Sequence, residues 1–485
     1  MTALTDPPVA VAETHSGIVF LVGDRAYKSK KAVNLGFLDF TTLASRRIAC
    51  HREVELNRRL SPDVYLGVAD VLSPTGEACE HLVVMRRMPD DRRLSALASG
   101  GAALDEEMAV MARIMATFHD STPTPPGASQ SATAEAAQGR WDRLVRGLSE
   151  QALGDDDRAS VQRVAELSRR YLAGRDLLFS ERIGLGRARD GHGDLLADDI
   201  FLLEDGPRVL DCLDFDERLR CGDVLADVAF LAMDLEHLGR VDLAQRFLSA
   251  YREHTGDRWP DSLAHHYIAQ RAFVRSNVTF IRDRQGAPSA AAIASSMLGL
   301  TLQHLEEGRV RLVVVAGLPG TGKSTVAAGV ADDIDAVLLR SDELRKTLAN
   351  GNSDRRYDPS VTAHTYDDLL GRARDLLGRG ESVVLDATWR SANHRAAVVA
   401  LAEAVTADLT VVECMTSDTI ADARIEARLL AGTDPSEATP DVAAAMRRSW
   451  QHWPVAQVVN TDALPEASIA AAVGIIRSEE KRAPV

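Results

Sequence analysis

The segment GLPGTGKST at 317–325 constrains this chain more than any other feature. It satisfies the spacing GxxxxGK[ST], follows the apolar run LVVVA and precedes the helical pattern TVAAGVADDI, the strand–loop–helix setting that the motif needs. Its glycines let the backbone wind so that successive N–H groups converge on phosphate oxygens, and the positive end of the following helix adds to the field. Gly317, Gly320, Thr321, Gly322, Lys323, Ser324 and Thr325 therefore read as a nucleotide cradle. Lys323 is expected to bridge the β and γ phosphates of ATP, and Ser324 to ligand Mg2+.

Apolar runs alternate with amphipathic helical stretches around this loop: LVVVA at 312, AVLLR at 336, SVVLD at 382, LTVVECM at 409 and AQVVN at 456. Such alternation predicts an α/β unit, a parallel sheet with helices on both faces whose ligands gather beyond the carboxyl ends of the strands. SDELRK brings Asp342 and Arg345 to that end, where a carboxylate can take the proton of an attacking hydroxyl. Asp386, closing SVVLD, is the acid expected to hold Mg2+ through water, and ATWRSANHR offers Arg390 and Arg395 to an acceptor. Arg424 and Arg428 share one helical face ahead of a Gly-, Pro- and Thr-rich stretch suited to a lid, where arginines neutralise transition-state charge. GLPGTGKST, SDELR and the arginine-bearing helix together resemble the P-loop kinases of small molecules and their zeta-toxin and polynucleotide kinase relatives. That resemblance implies a five-stranded parallel sheet, with Asp342 as acceptor base, Arg345 holding acceptor or phosphate, and Arg424 and Arg428 as lid arginines.

At 485 residues the chain is too long for one ordinary core. A boundary is expected near 308, after LQHLEEG, giving segments 1–307 and 308–485. The front segment opens with the strand patterns IVFLVG and AYKSKKAV, a helical stretch through HREVELNRRL and another strand, HLVVMRRM. A mostly helical pattern follows, broken by DDIFLL and RVLDCLDF around the turn EDGP, which predicts a hairpin. The whole predicts an α+β unit, a small sheet leading into a helical lobe, and STPTPPGASQSATAEAAQG at 121–139 reads as a mobile surface insertion. Within HGDLLADDIFLLEDGPRVLDCLDF, Asp194, Asp199 and Asp214 have phosphotransfer spacing. The first acid takes the acceptor's proton, a residue five positions on ligands one Mg2+, and an acid after the hairpin ligands both metals.

This stretch resembles the aminoglycoside phosphotransferase-like family, whose HGDLHxxNI and IDF are here HGDLLADDI and LDF. Leu196 stands where that family has His, and Asp199 where it has Asn; aspartate also binds Mg2+, with more charge. The resemblance implies a protein-kinase-like two-lobed fold with a strand lysine and a helix glutamate, taken here as Lys28 and Glu53. Lys30 shares the strand face of Lys28, and Glu55 lies two residues from Glu53, so spacing leaves both choices open. The same likeness implies that Asp223 and Asp227 of GDVLADVAF brace the active-site loop and that His192 orients it. It extends over about residues 13–300 and is specific around 190–230. Arg271 and Arg275, four apart, read as surface helix charges, with contact to an anionic group as the alternative, His119 reads as a packing or capping residue, and His265 and His266 lack metal-ligand spacing. Taken together, the halves resemble a bacterial family that pairs an aminoglycoside phosphotransferase-like domain with a zeta-like, AAA-type P-loop domain.

Charge narrows the partners. Acidic residues outnumber basic ones by 71 to 56, a net charge of −15, which repels polyanions and makes nucleic acid an unfavoured partner. Cys50, Cys79, Cys212, Cys221 and Cys414 are scattered without a CxxC pair, which fits a reduced cytoplasm and no zinc site. No apolar stretch approaches the ~20 residues of a membrane span, and the first residues lack a basic leader, so a cytoplasmic protein without a membrane partner is expected. The function expected from these features is ATP- and Mg2+-dependent phosphotransfer from both halves to hydroxyl groups of small molecules. Two alternatives stand beside it: a front half that binds ATP without catalysis and regulates the other, and 5′-hydroxyl phosphorylation of polynucleotides by the P-loop half.

Overall fold

Antiparallel pairing dominates the first part of the chain. The computed structural model describes residues 9–13, 17–34, 39–151, 153–348, 358–431 and 439–480. Strands β1 (Val9–Glu13), β2 (Gly17–Val22), β3 (Arg25–Lys30), β4 (Tyr65–Leu72) and β5 (Ala78–Arg86) form a sheet in the order β1-β2-β3-β5-β4, every neighbour antiparallel. Helix Leu43–Asn57 packs Cys50 and Val54 against Ala26, Tyr65, Val83 and Met85 of this sheet. The period of two that turns Ala26 toward this core turns Lys28 and Lys30 the same way. Both lysines thereby reach a helix whose interior carries Glu53.

Helices then take over. Asp105–Ser121, Ala134–Ser149, Val224–His237, Val241–Thr255 and Asp261–Arg284 enclose two short ladders. β6 (Ala188–Asp190) pairs with β9 (Cys221–Asp223), and β7 (Ile200–Leu203) with β8 (Gly206–Val209), the latter being the expected hairpin. The stretch at 121–139 is not the expected surface insertion. It folds into helix Ala128–Ser131 and the start of Ala134–Ser149, with Thr133 capping the second by accepting a bond from Ala136 N at 3.1 Å. Ala128, Ala132, Ala134 and Ala137 are buried, small side chains that let the backbone approach its neighbours.

The remaining strands are all parallel: β10 (Arg311–Ala316), β11 (Val337–Arg340), β12 (Val383–Asp386), β13 (Asp408–Met415) and β14 (Gln457–Asn460), in the order β11-β12-β10-β13-β14. Val313, Val315, Val384 and Val412 pack with Val326 and Val330 of helix Lys323–Asp333 to form the core of this unit. The chain thus joins a two-lobed protein-kinase-like unit to a P-loop unit with a five-stranded parallel sheet. The division is not one cut in sequence, because the second unit comprises Leu305–Val485 together with Arg163–Phe179 and Pro260–His266.

Arg175 accounts for the first of these added segments. It is 1% exposed and donates to the carbonyls of Leu377 at 2.8 Å, Val405 at 3.0 Å and Thr406 at 3.3 Å. Leu377 lies in the last turn of helix Pro359–Gly378 and Val405 caps helix Ala392–Ala404. Carbonyls at helix carboxyl ends lack intrahelical donors and carry partial negative charge, so a cation fits there without a carboxylate. Gly174 makes the approach possible, since a Cβ at that position would sit 2.0 Å from the Val405 carbonyl oxygen. Arg175→Ala is expected to destabilise the second unit by about 2–4 kcal/mol through orphaned carbonyls and lost packing. The test is its urea midpoint, and an unchanged value would mean that Arg163–Phe179 does not hold this unit together.

Candidate functional site

In the first unit the charged residues converge on a carboxylate buried between two lysines. Lys28 Nζ lies 2.9 Å from Glu53 Oε1, and Lys30 Nζ lies 2.6 Å from Glu53 Oε2. Each lysine also holds an aspartate, Lys28 with Asp211 at 2.6 Å and Lys30 with Asp214 at 2.7 Å. Both readings of the strand lysine are therefore realised, while Glu53 alone is the partner. Burial raises the Glu53 carboxyl, but Lys28 and Lys30 outweigh it and hold its pKa below the ordinary value. Lys28 holds the Asp211 carboxyl low, whereas burial raises that of Asp214 despite Lys30.

The loop carrying Asp194 is fixed by one buried acid. Asp227 accepts the backbone N–H groups of His192 and Gly193, each at 2.7 Å, and the His119 ring nitrogen at 3.0 Å. Burial would raise its carboxyl, yet the His119 hydrogen bond and the neighbouring histidines hold it well below the ordinary carboxylate range. Gly191 is required beside it, because a Cβ there would lie 2.6 Å from Asp227 Oδ2. The His192 ring donates from Nε2 to the Leu210 carbonyl at 3.0 Å, joining the loop to the segment after the hairpin. Asp223 is instead paired with Arg182 at 2.7 Å and caps helix Val224–His237.

Asp194 projects into a cavity of about 690 Å³ that Lys28, Lys30, Asp211 and Asp214 also line. Burial pushes its carboxyl from 3.8 up to about 6, against the pull of Arg275 and Arg271. Asp199 is raised well above the ordinary value by burial and by the charges of Asp211 and Asp194. Crowded acids of this kind, short of cationic partners, are what a divalent cation relieves, so the residues present fit Mg2+. Arg271 and Arg275 are not the surface charges expected from the sequence; both line this cavity.

In the second unit β10 delivers the chain into the glycine loop. Gly320 and Gly322 take φ of +82° and +78°, and a Cβ at Gly320 would meet the Ala421 carbonyl at 2.5 Å, so neither position accepts another residue freely. Lys323 begins helix Lys323–Asp333 and is buried, Ser324 is half-buried and Thr325 exposed. Thr321 turns its hydroxyl inward to the Leu318 carbonyl at 2.8 Å. Asp386 ends β12, where Val315 of β10 lies opposite it. Its Oδ2 accepts from Arg340 Nε at 3.3 Å, while Oδ1 is buried without a hydrogen-bond partner, an orphaned acceptor that fits a metal-bound water. Asp342 and Arg345 pair with each other at 2.8 Å on helix Ser341–Leu348.

Helix Asp418–Ala431 carries Arg424 and, one turn on, Arg428. Arg424 donates to the Thr461 carbonyl at 2.7 Å, and its Nη1 lies 3.5 Å from where a Cβ of Gly322 would stand, so it borders the loop. The lid stretch expected after this helix falls at 432–438, outside the described residues. Arg395 is buried, donates to the carbonyls of Trp389 and Gln451, and lies over the rings of Trp450 and Trp453, which corrects its assignment to an acceptor. Arg390 is exposed.

Residues 312–452 match the AAA_33 family, described as an AAA domain. The uncharacterized protein Rv2004c of Mycobacterium tuberculosis is 40% identical over 486 residues, covering 98% of this chain and 97% of that protein. The chain belongs to the family of that protein. Among solved structures, a choline/ethanolamine kinase family protein from Mesorhizobium loti covers 62% of this chain and 94% of its own at 15% identity and a TM-score of 0.40. The APS kinase CysC of Mycobacterium tuberculosis, in complex with AMPPNP and APS, covers 35% and 98% at 22% identity and a TM-score of 0.28. The glycine loop at the head of a five-stranded parallel sheet agrees with the match to an AAA domain. Among the described residues no helix is long and apolar enough to cross a membrane.

Sequence reading missed Asp211, which pairs with Lys28, takes φ of +60° and is held by the Tyr65 hydroxyl accepting its N–H at 3.0 Å. It also missed Thr461, whose hydroxyl donates to the Thr321 carbonyl at 2.7 Å and so pins the glycine loop from β14's end. Neither carries a local signal. A prediction follows from Asp194. Its folded pKa lies above its unfolded value, so the folded state binds the extra proton, and the stability this gives is present below about pH 4 and lost as pH rises through about 6. Asp194→Asn should therefore stabilise the first unit at pH 7 by about 1–2 kcal/mol and leave it nearly unchanged at pH 4. Paired urea titrations at the two pH values test this, and equal effects at both would contradict it.

Proposed function

We propose that each unit transfers the γ-phosphate of ATP to a hydroxyl group of a small molecule. The observation that carries this reading is the cavity of the first unit, whose lining combines the carboxylate of Asp194 with the lysine-held acids Asp211 and Asp214. Asp194 is free of the ion pairs that occupy its neighbours, and its pKa of about 6 suits a base that must accept a proton near neutral pH. The acceptor oxygen attacks the γ-phosphorus, the bond from that phosphorus to the bridging oxygen breaks, its electron pair stays on ADP, and the acceptor's proton moves to Asp194. Lys28, Lys30 and Glu53 orient the phosphates, so the reaction is driven by positioning and electrostatics with little covalent work from the protein.

In the P-loop unit, the buried Lys323 and the loop amides bind the phosphates, Asp342 takes the acceptor's proton, and Arg345, Arg424 and Arg428 neutralise charge on the transferring group. Mg2+, held by Asp199 and Asp214 in one unit and by Ser324 and Asp386 in the other, supplies neutralisation of the phosphate oxygens when bound. The acidic balance of 71 to 56 supports small-molecule acceptors over polynucleotides.

The test is full-length protein with ATP and a metabolite panel that includes 5′-hydroxyl oligonucleotides, followed by mass detection of phosphorylated products. Asp194→Asn is expected to lower one product and Lys323→Ala another, each by a factor of about 10² or more. Wild-type transfer in the first unit should rise with pH through about 6 as Asp194 deprotonates. If Lys323→Ala alone abolished all turnover, the first unit would be a regulator of the second rather than a kinase in its own right.

A further inference from the structure

The cavity of the first unit has a second charged side, and its sign restricts what the acceptor can be. Nine cationic side chains line it, and four have carboxylate partners: Lys28, Lys30, Arg218 with Asp216, and Arg220 with Asp190. Five do not. Among the described residues, Arg140, Arg143, Arg189, Arg271 and Arg275 form no ion pair with a carboxylate.

Three of these guanidinium groups are held by backbone. Arg140 donates to the Ser131 carbonyl at 2.6 Å, Arg189 to those of Gly186 and Thr122, each at 3.0 Å, and Arg271 to that of Ala226 at 2.8 Å. Arg271 also lies 4.7 Å from the centre of the Phe230 ring, and Arg275 Nε is buried without a hydrogen-bond partner. Burial depresses the pKa of both Arg140 and Arg271, the mark of cations removed from water without full compensation. The acids that share the cavity are already engaged: Asp211 and Asp214 with lysines, Asp223 with Arg182, and Asp227 with His119 and two amides. Asp194 is the lining acid without an ion pair or hydrogen-bonded partner among the described residues, and Arg275 and Arg271 are the cations that act on it, while Asp227 also acts on Arg271 and Asp223 on Arg140.

We infer that the acceptor bound by the first unit is an anion, a hydroxyl compound bearing phosphate or carboxylate groups that the five arginines grip while its hydroxyl meets Asp194. Planar guanidinium forks bind either group through paired hydrogen bonds, and they repel a polyamine. The ATP triphosphate does not account for the cluster, because Arg271 and Arg275 act on Asp194, where the acceptor hydroxyl must lie, whereas Lys28 and Lys30 with Glu53 form the phosphate-holding side. This inference rests on the phosphotransfer reading above and deepens it.

The experiment uses full-length Lys323→Ala protein, so that the P-loop is impaired, saturated with AMPPNP and Mg2+ and titrated calorimetrically with inorganic phosphate, malonate and kanamycin. Phosphate or malonate should bind, and Arg271→Gln and Arg275→Gln should each weaken that binding at least tenfold while AMPPNP affinity changes less than twofold. The AMPPNP control also reports folding of each variant. Phosphate selectivity would point to a phosphorylated acceptor, malonate selectivity to a carboxylated one. Binding of neither anion, binding that the arginine variants do not weaken, or preferential uptake of kanamycin would overturn the inference. Anion binding that depends on the arginines in a protein whose first unit takes no AMPPNP would instead sink the phosphotransfer reading and leave the anion site standing.

Discussion

Two lysines on one strand face cannot both be buried beside a helix without an anion between them, and Glu53 is that anion. Removing an ion from water costs several kcal/mol even after relaxation, so each ammonium here must be met by charge as well as by hydrogen bonds. Glu53 meets both, and Asp211 and Asp214 complete the cluster from the segment after the hairpin. One group of five charges thus ties the sheet, helix Leu43–Asn57 and the segment after the hairpin into one body. It also leaves a residue of unneutralised acid, Asp194 and Asp199, where burial and the charge of Asp211 raise both carboxyls. The electrostatic strain of the unit is concentrated at the end where phosphate chemistry would occur.

On the proposed reading the two units would bind phosphate in opposite ways. In the P-loop unit the donors are main-chain amides, so the requirement falls on backbone geometry: glycines in left-handed conformations, a carbonyl of Ala421 packed against Gly320, and Thr461 bonded to the loop from below. In the first unit the cations are side chains, and the requirement falls on charge pairing across residues more than 180 positions apart in sequence.

That difference explains how much could be read in advance. The glycine loop, its flanking strand and helix and the five parallel strands are local patterns, and periodicity alone reveals them. The hairpin and Asp194, Asp199 and Asp214 were legible because their spacing is short. Lys28 and Lys30 could not be separated, because a period of two gives both the same face, and the folded chain uses both. Asp211 and His119 were invisible as functional residues, since what defines them is a lysine and an aspartate brought in by tertiary structure. Arg271 and Arg275 could be read either as surface charges or as contacts for an anion, because a charge one helical turn from another looks the same whether its face meets solvent or a cavity. The helix beginning at Ala134 was misread because Pro, Ser and Gly nearby masked a run of alanines at helical spacing.

Arginine is used in two ways here, and the contrast bears on function. Arg175 directs its bonds at the carboxyl ends of helices, where partial negative charge absorbs its own, and the result is structural. Three of the cavity arginines, Arg140, Arg189 and Arg271, are also anchored to carbonyls, yet Ser131, Gly186, Thr122 and Ala226 fix the position of a guanidinium without cancelling its charge. Carboxylates were available to the fold, since acidic residues exceed basic ones by 71 to 56 over the chain. A fold selected only for stability would have paired these cations, as it paired Arg182 with Asp223 and Asp257. Anchoring by backbone holds three of the five positive charges in place, and all five stay without a carboxylate partner, which is the arrangement an anionic ligand requires.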